Sequence, residues 1–225
     1  MIEKILPDAV ASAEAFEDLP GAVLYPGEAE LISRAVDKRR REFRTVRHCA
    51  RRALRQLGLP PVAILRGSHG EPQWPPGVVG SMTHCAGYRA AAVARSCDIY
   101  TVGIDAEPNQ PLPAGVLDAI ALAPEQHMLS RLAAADRATC WDRLLFCAKE
   151  AIYKAWFPVA HRWLGFEDVA VTIGSVPAHP GHGTFTARLL VPGIPAADHL
   201  LTRLDGRWLR NDELVLTTLA VAAPT

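Results

Sequence analysis

Residues 102–107 read Val-Gly-Ile-Asp-Ala-Glu, and this stretch anchors both the fold and the candidate site. Its apolar first half, together with the preceding residues, predicts a buried β-strand over 99–105. Alternate side chains of a strand point to the same face, so Asp105 and Glu107 present two carboxylates side by side. Two interpretations stay open: solvated acids at an exposed strand end, or a pair that shares a divalent cation. Oxygen ligands of this kind suit Mg²⁺.

The residues before this stretch predict the first half of the fold. Apolar spacings of three, four and seven residues indicate a helix over 28–57, ended by a glycine and two prolines. Two further apolar runs, 78–83 and 88–95, are separated from each other and from 99–105 by short turns. The three runs predict an antiparallel meander.

The residues after this stretch predict a second half of the same kind. Three prolines within 107–113 indicate a crossover. Helices are predicted over 114–122, 124–135 and 139–157, the last of them ended by Pro158. Alternating strands are predicted over 166–173, 183–191, 200–209 and 213–221. The predicted fold is therefore α+β, with two pseudo-symmetric lobes, each an antiparallel sheet packed with helices. The lobes are predicted to cover residues 1–110 and 111–225.

The predicted helix over 139–157 carries a second candidate group. Glu150 and Lys154 lie four residues apart, so they share a helix face away from the apolar stripe, and Lys149 lies nearby. One interpretation is a surface ion pair worth about 0.3–0.5 kcal/mol. The other is a third carboxylate and an ammonium group facing a cleft.

A strand end at residues 80–85 supplies a third candidate group. His84 can hold a phosphate through a charge-assisted hydrogen bond, and Ser81 or Thr83 can add a hydroxyl donor. The alternative is a histidine that caps a turn.

The charge of the chain is unevenly distributed. Lys and Arg number 24, as do Asp and Glu, which argues against a uniformly basic nucleic-acid binder. Residues 34–55, however, hold ten basic and two acidic residues, a net charge of +8, which leaves −8 for the rest. Five arginines form a predicted stripe along one helix face: Arg40, Arg44, Arg47, Arg51 and Arg55. Three explanations of this stripe are open: a solvated face, a surface that binds nucleic acid, and a site for a small polyphosphate. The lack of interleaved aromatic residues disfavours nucleic acid.

Composition sets the class of protein and its compartment. The chain has 225 residues, of which 49% are hydrophobic, and this excludes a disordered chain or a coiled coil. No signal-peptide pattern and no apolar window of about 20 residues is present. The five cysteines include no CxxC pair, so we expect reduced thiols in a cytoplasmic protein.

Two motifs taken together resemble a known family. Val-Gly-Ile-Asp-Ala-Glu at 102–107, followed some forty residues later by Phe-Cys-Ala-Lys-Glu-Ala-Ile-Tyr-Lys at 146–154, resembles the signature motifs of the 4′-phosphopantetheinyl transferases. The resemblance runs from about residue 16 to residue 173. The length fits the two-lobed, surfactin-synthetase-activating class. Further matches are similar to its enterobactin-enzyme and actinobacterial branch.

The resemblance implies a role for each matching residue. Asp105, Glu107 and Glu150 match acids that bind Mg²⁺, with Mn²⁺ as the alternative cation. The positions matching coenzyme A contacts are Arg39 and Arg47 for the 3′-phosphate, Ser81 and His84 for phosphate, Lys149 and Lys154 in the second motif, and Arg66 before a glycine-rich loop. One departure is Glu71, where many members carry a lysine. A carboxylate cannot donate to a phosphate, and Arg66 or His69 is the expected replacement.

The implied activity is Mg²⁺-dependent transfer of 4′-phosphopantetheine from coenzyme A to a serine of an apo acyl or peptidyl carrier protein, releasing 3′,5′-ADP. Glu150 is the expected base, and Lys154, with Lys149 nearby, is expected to assist the leaving phosphate. The carriers would serve fatty-acid, polyketide, nonribosomal-peptide or siderophore synthesis. We expect a cytoplasmic monomer with no nucleic-acid or membrane partner. The residues alone also allow a Mg²⁺-dependent phosphohydrolase, or a nucleic-acid-binding module that uses the basic helix.

Overall fold

The computed structural model describes residues 1–175, 181–196 and 199–224. Its helices are α1 (Asp37–Gln56), α2 (Val116–Ile120), α3 (Ala123–Ala135) and α4 (Trp141–Ala160). The strands of the first half are β1 (Ala11–Ala15), β2 (Val78–Cys85), β3 (Tyr88–Arg95) and β4 (Ile99–Pro108). Those of the second half are β5 (Val169–Ser175), β6 (His182–Leu189), β7 (Ile194–Ala196), β8 (His199–Leu201), β9 (Arg203–Arg210) and β10 (Leu214–Ala222). Single 3₁₀ turns occupy Ile2–Ile5, Glu30–Ile32 and Phe166–Asp168.

The elements form two large antiparallel sheets, each covered by a long helix, and β7 and β8 pair as a small third sheet. A three-stranded sheet of order β1-β3-β2 packs against α1, and a five-stranded sheet of order β4-β10-β9-β6-β5 packs against α4. Small side chains make this close packing feasible, since β3 contributes Ala91 and Val93 to the core cluster that it shares with α1. The predicted α+β class with two antiparallel sheets is confirmed. The division into lobes at residue 110 stays a prediction.

The predicted meander is wrong in its third strand. β2 and β3 form the expected hairpin, but β4 pairs with β10, with Asp105 opposite Thr217 and Glu107 opposite Val215. An apolar run predicts a strand without specifying its partner. β4 is therefore an edge strand of the second sheet, lying beside β2 of the first.

Two predicted helix boundaries also differ from the structure. α1 begins at Asp37, not at residue 28. The residues before it form the 3₁₀ turn Glu30–Ile32 and other, non-helical turns. α4 continues through Pro158 to Ala160 and ends where His161 adopts a positive φ of 49°. A proline removes one helical hydrogen bond, but the buried side chains before it keep this last turn packed. Across the described ranges, no helix is both long and apolar enough to cross a membrane.

Helix α4 crosses β4 at Gly103, and this crossing positions the candidate site. A Cβ atom built on Gly103 would lie only 2.0 Å from the carbonyl oxygen of Ala151. A glycine in a strand often marks such a close backbone approach. The contact brings the α4 face that carries Glu150 and Lys154 against the carboxylate of Asp105.

Candidate active site

A cavity of about 300 Å³ lies where α1, β2, the loop at residues 66–72 and α4 meet. It gathers residues that are distant in sequence. Seven of the ten predicted site residues line it: Arg39, Arg47, Arg66, Ser81, His84, Glu150 and Lys154.

The α1 side of the cavity is basic. Arg47 is only 4% exposed, stacks 3.2 Å above the Phe43 ring and donates through Nε to the carbonyl oxygen of Ile64 at 3.2 Å. Burial lowers its pKa to about 9, with Glu28 opposing this shift and the charges of Arg66 and Arg39 adding to it. Three guanidinium groups thus lie close together with little compensating charge, an arrangement that an anion would stabilise.

The predicted arginine stripe is not one continuous binding face. Arg51 is buried and forms an ion pair with Glu28, with Nη1 and Oε1 2.8 Å apart. Glu28 also accepts the backbone N–H of Ile64 at 2.9 Å, so this pair fastens the chain before α1 to the residues after it. Arg40 donates to backbone carbonyls near the start of α1. Helical spacing alone could not reveal these distant partners.

Ser81 and His84 approach the same cavity from β2. Ser81 is 2% exposed, and its hydroxyl oxygen accepts the N–H of Ile104 at 3.1 Å. His84 contacts Arg39 through Nε2, which also lies 3.6 Å from Oε2 of Glu42. Burial lowers the pKa of His84 to about 4, and the charges of Arg39 and Lys154 contribute. The imidazole is therefore neutral near pH 7 in the absence of an anion.

Asp105 is at the acidic side of the site, and its two oxygens have different surroundings. Oδ1 accepts from the Thr83 hydroxyl at 2.9 Å and from the Lys154 ammonium at 2.6 Å. Oδ2 is buried, and no hydrogen bond reaches it from any described residue. The buried Cys147 thiol hydrogen-bonds Thr217 and also lies close to Asp105, which adds to the effect of burial in raising the pKa of the thiol.

Burial and the charge of Asp105 both act on the neighbouring ionisable groups. They raise the pKa of Glu107 and of Glu150, although Arg143 and Lys154 partly oppose the two shifts. For Lys154, burial lowers the pKa, but attraction to Asp105 and Glu150 outweighs burial and raises it overall. Lys154 is therefore charged near pH 7.

The acidic residues fit a hard divalent cation by their chemistry. The oxygen donors suit Mg²⁺, and the acids repel one another. Throughout the described ranges, no three His, Cys, Asp or Glu side chains converge as a ready-made metal site. Two cationic side chains already contact these acids, since Arg143 lies 3.1 Å from Glu107 and Lys154 lies 2.6 Å from Asp105.

Lys149 does not lie among the residues of the cavity. Its ammonium donates to Glu125 at 2.8 Å and to the carbonyl oxygens of Ile120 and Phe166 at 2.7 and 2.8 Å. These contacts satisfy its three protons and tie α4 to α3 and to the start of β5. Consecutive residues of an α-helix point about 100° apart around its axis. Lys149 therefore does not face the cleft, although it directly precedes Glu150 in the sequence.

Glu71 lines the cavity, but its side chain turns back onto its own loop. Its Oε2 accepts the N–H of His69 at 3.0 Å. Arg66 and His69, the expected replacements for a lysine, line the same cavity. The carboxylate thus shapes the loop.

Aromatic residues of the cavity were not among the predicted site residues. Phe43 lies under Arg47, and Phe157 packs against His69 and Tyr153, with ring centroids 5.2 and 5.8 Å apart. Helical spacing carried a usable signal here, because Tyr153 and Phe157 lie three and seven residues after Glu150 and share its face.

Comparisons with known proteins find similar sequences over nearly the whole chain. The family model described as the 4′-phosphopantetheinyl transferase N-terminal domain matches residues 27–94, and that of the 4′-phosphopantetheinyl transferase superfamily matches residues 101–188. The chain is 52% identical over 225 residues to the 4′-phosphopantetheinyl transferase Npt of Nocardia iowensis, covering 99% of this chain and 100% of the relative. It is also 52% identical to the 4′-phosphopantetheinyl transferase PptT of Mycobacterium tuberculosis, covering 98% of each. Enterobactin synthase component D of Salmonella typhimurium is 30% identical over 185 residues, which cover 81% of this chain and 72% of the relative.

Proposed function

This chain belongs to the 4′-phosphopantetheinyl transferase superfamily, and on that premise we propose how its cavity binds the substrates and supports the transfer. The enzyme transfers the 4′-phosphopantetheine group of coenzyme A to carrier proteins. The observation that carries the proposal is the cavity in which clustered arginines face Glu150 and Lys154, with Asp105 paired to Lys154.

Coenzyme A is a compact polyanion that suits this cavity. We place its 3′-phosphate at Arg39 and Arg47 of α1, where clustered guanidinium groups favour an anion. Its pyrophosphate then lies toward β2 and α4, within reach of Ser81, His84 and Lys154. Arg66 completes the basic surroundings in place of the lysine that many members carry.

Asp105, Glu107 and Glu150 are the residues that would hold Mg²⁺, or Mn²⁺ as the alternative. A divalent cation held there would neutralise negative charge on the pyrophosphate. The support is the oxygen donor set and the raised pKa values of both glutamates.

The remaining steps use the chain's own groups. The serine hydroxyl of the carrier forms a bond to the phosphorus that bears pantetheine, while the bond from that phosphorus to the bridging oxygen breaks and 3′,5′-ADP leaves. Glu150 takes the serine proton, and its raised pKa makes it a better base than an exposed glutamate. The charged Lys154 stabilises the leaving phosphate.

The test is to incubate the enzyme with coenzyme A, Mg²⁺ and an apo carrier protein, and to weigh the carrier by mass spectrometry. We expect the carrier to gain one phosphopantetheine group as 3′,5′-ADP accumulates. Phosphate release without carrier modification would instead support a phosphohydrolase. A salt-sensitive gel shift with nucleic acid and no transfer would support a nucleic-acid-binding module.

We also propose that the enzyme works as a cytoplasmic monomer without a nucleic-acid or membrane partner. All five cysteines are unpaired, which suits a reducing compartment. Carriers of fatty-acid, polyketide, nonribosomal-peptide or siderophore synthesis are the proposed acceptors.

The exposed basic residues at the start of α1 are proposed to steer an acidic carrier toward the cavity. Lys38 is well exposed beside Arg39, whereas the exposed Arg55 lies about 25 Å farther along the helix. Lys38→Glu is therefore expected to lower kcat/KM for the carrier about tenfold at low salt and far less at about 0.5 M salt, where charges are screened within a few ångströms.

The matched control is Arg55→Glu, which makes the same charge change about 25 Å from Lys38 along the helix, more than two Debye lengths at an ionic strength of about 0.1 M. Its kcat/KM for the carrier should stay close to that of the wild type at both salt concentrations. Equal losses in the two variants, or a Lys38→Glu defect that ignores salt, would argue against steering.

Cation binding should also change the dependence of stability on pH. Burial raises the folded-state pKa of Glu107 and Glu150 above the ordinary value of 4.5, so the folded protein holds these protons more tightly than the unfolded chain does. Without a cation, their contribution to stability therefore falls as the pH rises above about 4.5 through the folded-state pKa values. At ten times its Kd, Mg²⁺ should raise Tm by about 3–5 °C at pH 8, and by less at pH 5.

Differential scanning calorimetry of the full chain measures this effect, with NaCl of equal ionic strength as the control. Asp105→Asn should abolish the Mg²⁺-dependent part of the increase. An increase that Asp105→Asn retains in full would place the cation elsewhere.

A further inference from the structure

Glu28 is a buried acid outside the cavity, and its carboxylate holds three parts of the chain together. The side chain is fully buried and forms an ion pair with Nη1 of Arg51 at 2.8 Å. It also accepts the backbone N–H of Tyr25 at 2.7 Å and that of Ile64 at 2.9 Å. Neither Glu28 nor Arg51 lines the cavity. Any effect of Glu28 on a bound ligand must therefore pass through a neighbouring residue.

The contact with Ile64 leads to an arginine that does line the cavity. Glu28 holds the N–H of Ile64, and the carbonyl oxygen of Ile64 accepts Nε of Arg47 at 3.2 Å. Arg66 follows two residues after Ile64, and both guanidinium groups lie over the Phe43 ring, 3.2 and 5.5 Å from its centroid. The backbone of Ile64 thus connects Glu28 to two arginines of the cavity.

The charge of Glu28 also acts on Arg47. The arginine is only 4% exposed, and a buried charge is costly unless it is paired. Burial lowers the pKa of Arg47 to about 9, and the attraction of Glu28 opposes this shift, whereas the charges of Arg66 and Arg39 add to it. Glu28 supplies negative charge from behind Arg47, where it does not occupy the space of an anionic ligand.

We propose that Glu28 is a positioning residue for the 3′-phosphate of coenzyme A, because it holds Arg47 in place through the backbone of Ile64 and through its own charge. This inference rests on the proposed function, which places the 3′-phosphate at Arg39 and Arg47. It adds a residue that lies outside the cavity and acts through Arg47. The bond from Arg47 to Ile64 uses Nε, which leaves the two Nη groups of the guanidinium for a phosphate.

The test compares coenzyme A with 3′-dephospho-coenzyme A, which carries a hydroxyl group in place of the 3′-phosphate. The Kd of each ligand for the full chain is measured by isothermal titration calorimetry with Mg²⁺ present. The 3′-phosphate preference is the Kd of the dephospho ligand divided by that of coenzyme A. Partial unfolding of a variant weakens both apparent affinities by the same factor and cancels in this ratio.

Glu28→Gln keeps the shape of the side chain and removes its charge. It should weaken binding of coenzyme A about tenfold and binding of the dephospho ligand less than about twofold, so the 3′-phosphate preference falls at least about fivefold. Arg47→Gln should lower the preference at least as much. Adding Glu28→Gln to Arg47→Gln should then cause little further loss, because two residues that act through one contact are not additive.

A double variant covers the case in which Glu28→Gln does not fold because the buried charge of Arg51 has lost its partner. Glu28→Gln with Arg51→Gln leaves neither charge of the pair buried alone. The attraction of Glu28 for Arg47 exceeds the repulsion from Arg51. The preference of the double variant should therefore still fall, by about threefold or more.

Glu125→Gln is the matched control. Glu125 is 3% exposed, pairs with Lys149 at 2.8 Å and accepts the backbone N–H groups of Leu122 and Val171, both at 2.7 Å. It lies on α3 and does not line the cavity. This variant should lose stability comparably, as measured by thermal unfolding, but keep the wild-type 3′-phosphate preference.

Each other outcome overturns a specific claim. If the folded Glu28 variants keep the wild-type preference while Arg47→Gln has lost it, Glu28 has no role in the site, and the site itself stands. An equal loss of preference in Glu125→Gln, or a full further loss when Glu28→Gln is added to Arg47→Gln, would show that Glu28 does not act through Arg47. A wild type that binds both ligands equally would overturn the placement of the 3′-phosphate, and the role of Glu28 with it, whereas transfer itself is judged separately from the mass of the carrier.

Discussion

Replacing Glu150 by glutamine is expected to lower the rate of phosphopantetheine transfer by at least about 1,000-fold while the protein remains folded. The substitution keeps the size of the side chain but removes the proposed base and one proposed cation ligand. Its effect on folding should be small, because Glu150 is only partly buried and forms no ion pair with any described residue. The substitution also removes a partly buried negative charge near Asp105, so the melting temperature should rise slightly.

Single-turnover transfer to an apo carrier, followed by mass spectrometry, measures this loss. Coenzyme A binding is measured separately by calorimetry, so that weaker binding is distinguished from a slower reaction. Glu213→Gln, an exposed glutamate outside the cavity, is the control and should react at the wild-type rate. A Glu150→Gln enzyme that keeps full activity would exclude Glu150 both as the base and as a necessary ligand.

The second large effect is expected at Gly103, which does not line the cavity. In Gly103→Ala, the new Cβ would lie 2.0 Å from the carbonyl oxygen of Ala151 and 3.0 Å from the Cβ of Ala155, so α4 and β4 must separate. Overpacking of this kind costs about 3 kcal/mol, which lowers Tm by about 6–12 °C in a protein of this size. A displacement of about 1 Å between Lys154 and Asp105 should also lower the transfer rate by about 100-fold.

The matched control is Gly174→Ala, in strand β5. A Cβ there would approach no closer than 3.4 Å to Thr184, an ordinary contact. This variant should keep its Tm and its activity. If Gly103→Ala unfolds at the wild-type temperature, the close approach of α4 to β4 is not required for stability. If it is less stable but fully active, the spacing is not required for catalysis.

Local patterns in the sequence were sufficient for the class of fold and for most of the residues that meet in the cavity. The period of the apolar residues predicted the helices that became α1, α3 and α4, since helical spacing is a local property. The spacing of Asp105 and Glu107, and that of Glu150 and Lys154, placed each pair on one face of its element. The resemblance to a family then connected the two pairs.

Longer-range choices could not be made from local patterns. Strand β4 joined β10 because an apolar run defines a strand but not its neighbour. Arg51 and Lys149 found buried partners, Glu28 and Glu125, that lie 23 and 24 residues away. A charge count treats such residues as available for a ligand.

The sequence by itself determined which chemical groups this protein has and on which face of a helix or strand each lies, because both follow from residue type and a short repeat. Only the tertiary structure decided which of these groups are free to act. It turned Lys149 inward, brought α4 against β4 at Gly103, and paired Lys154 with Asp105. These outcomes depend on how distant backbones pack, and the cost of burying a charge then selects the groups that must be paired.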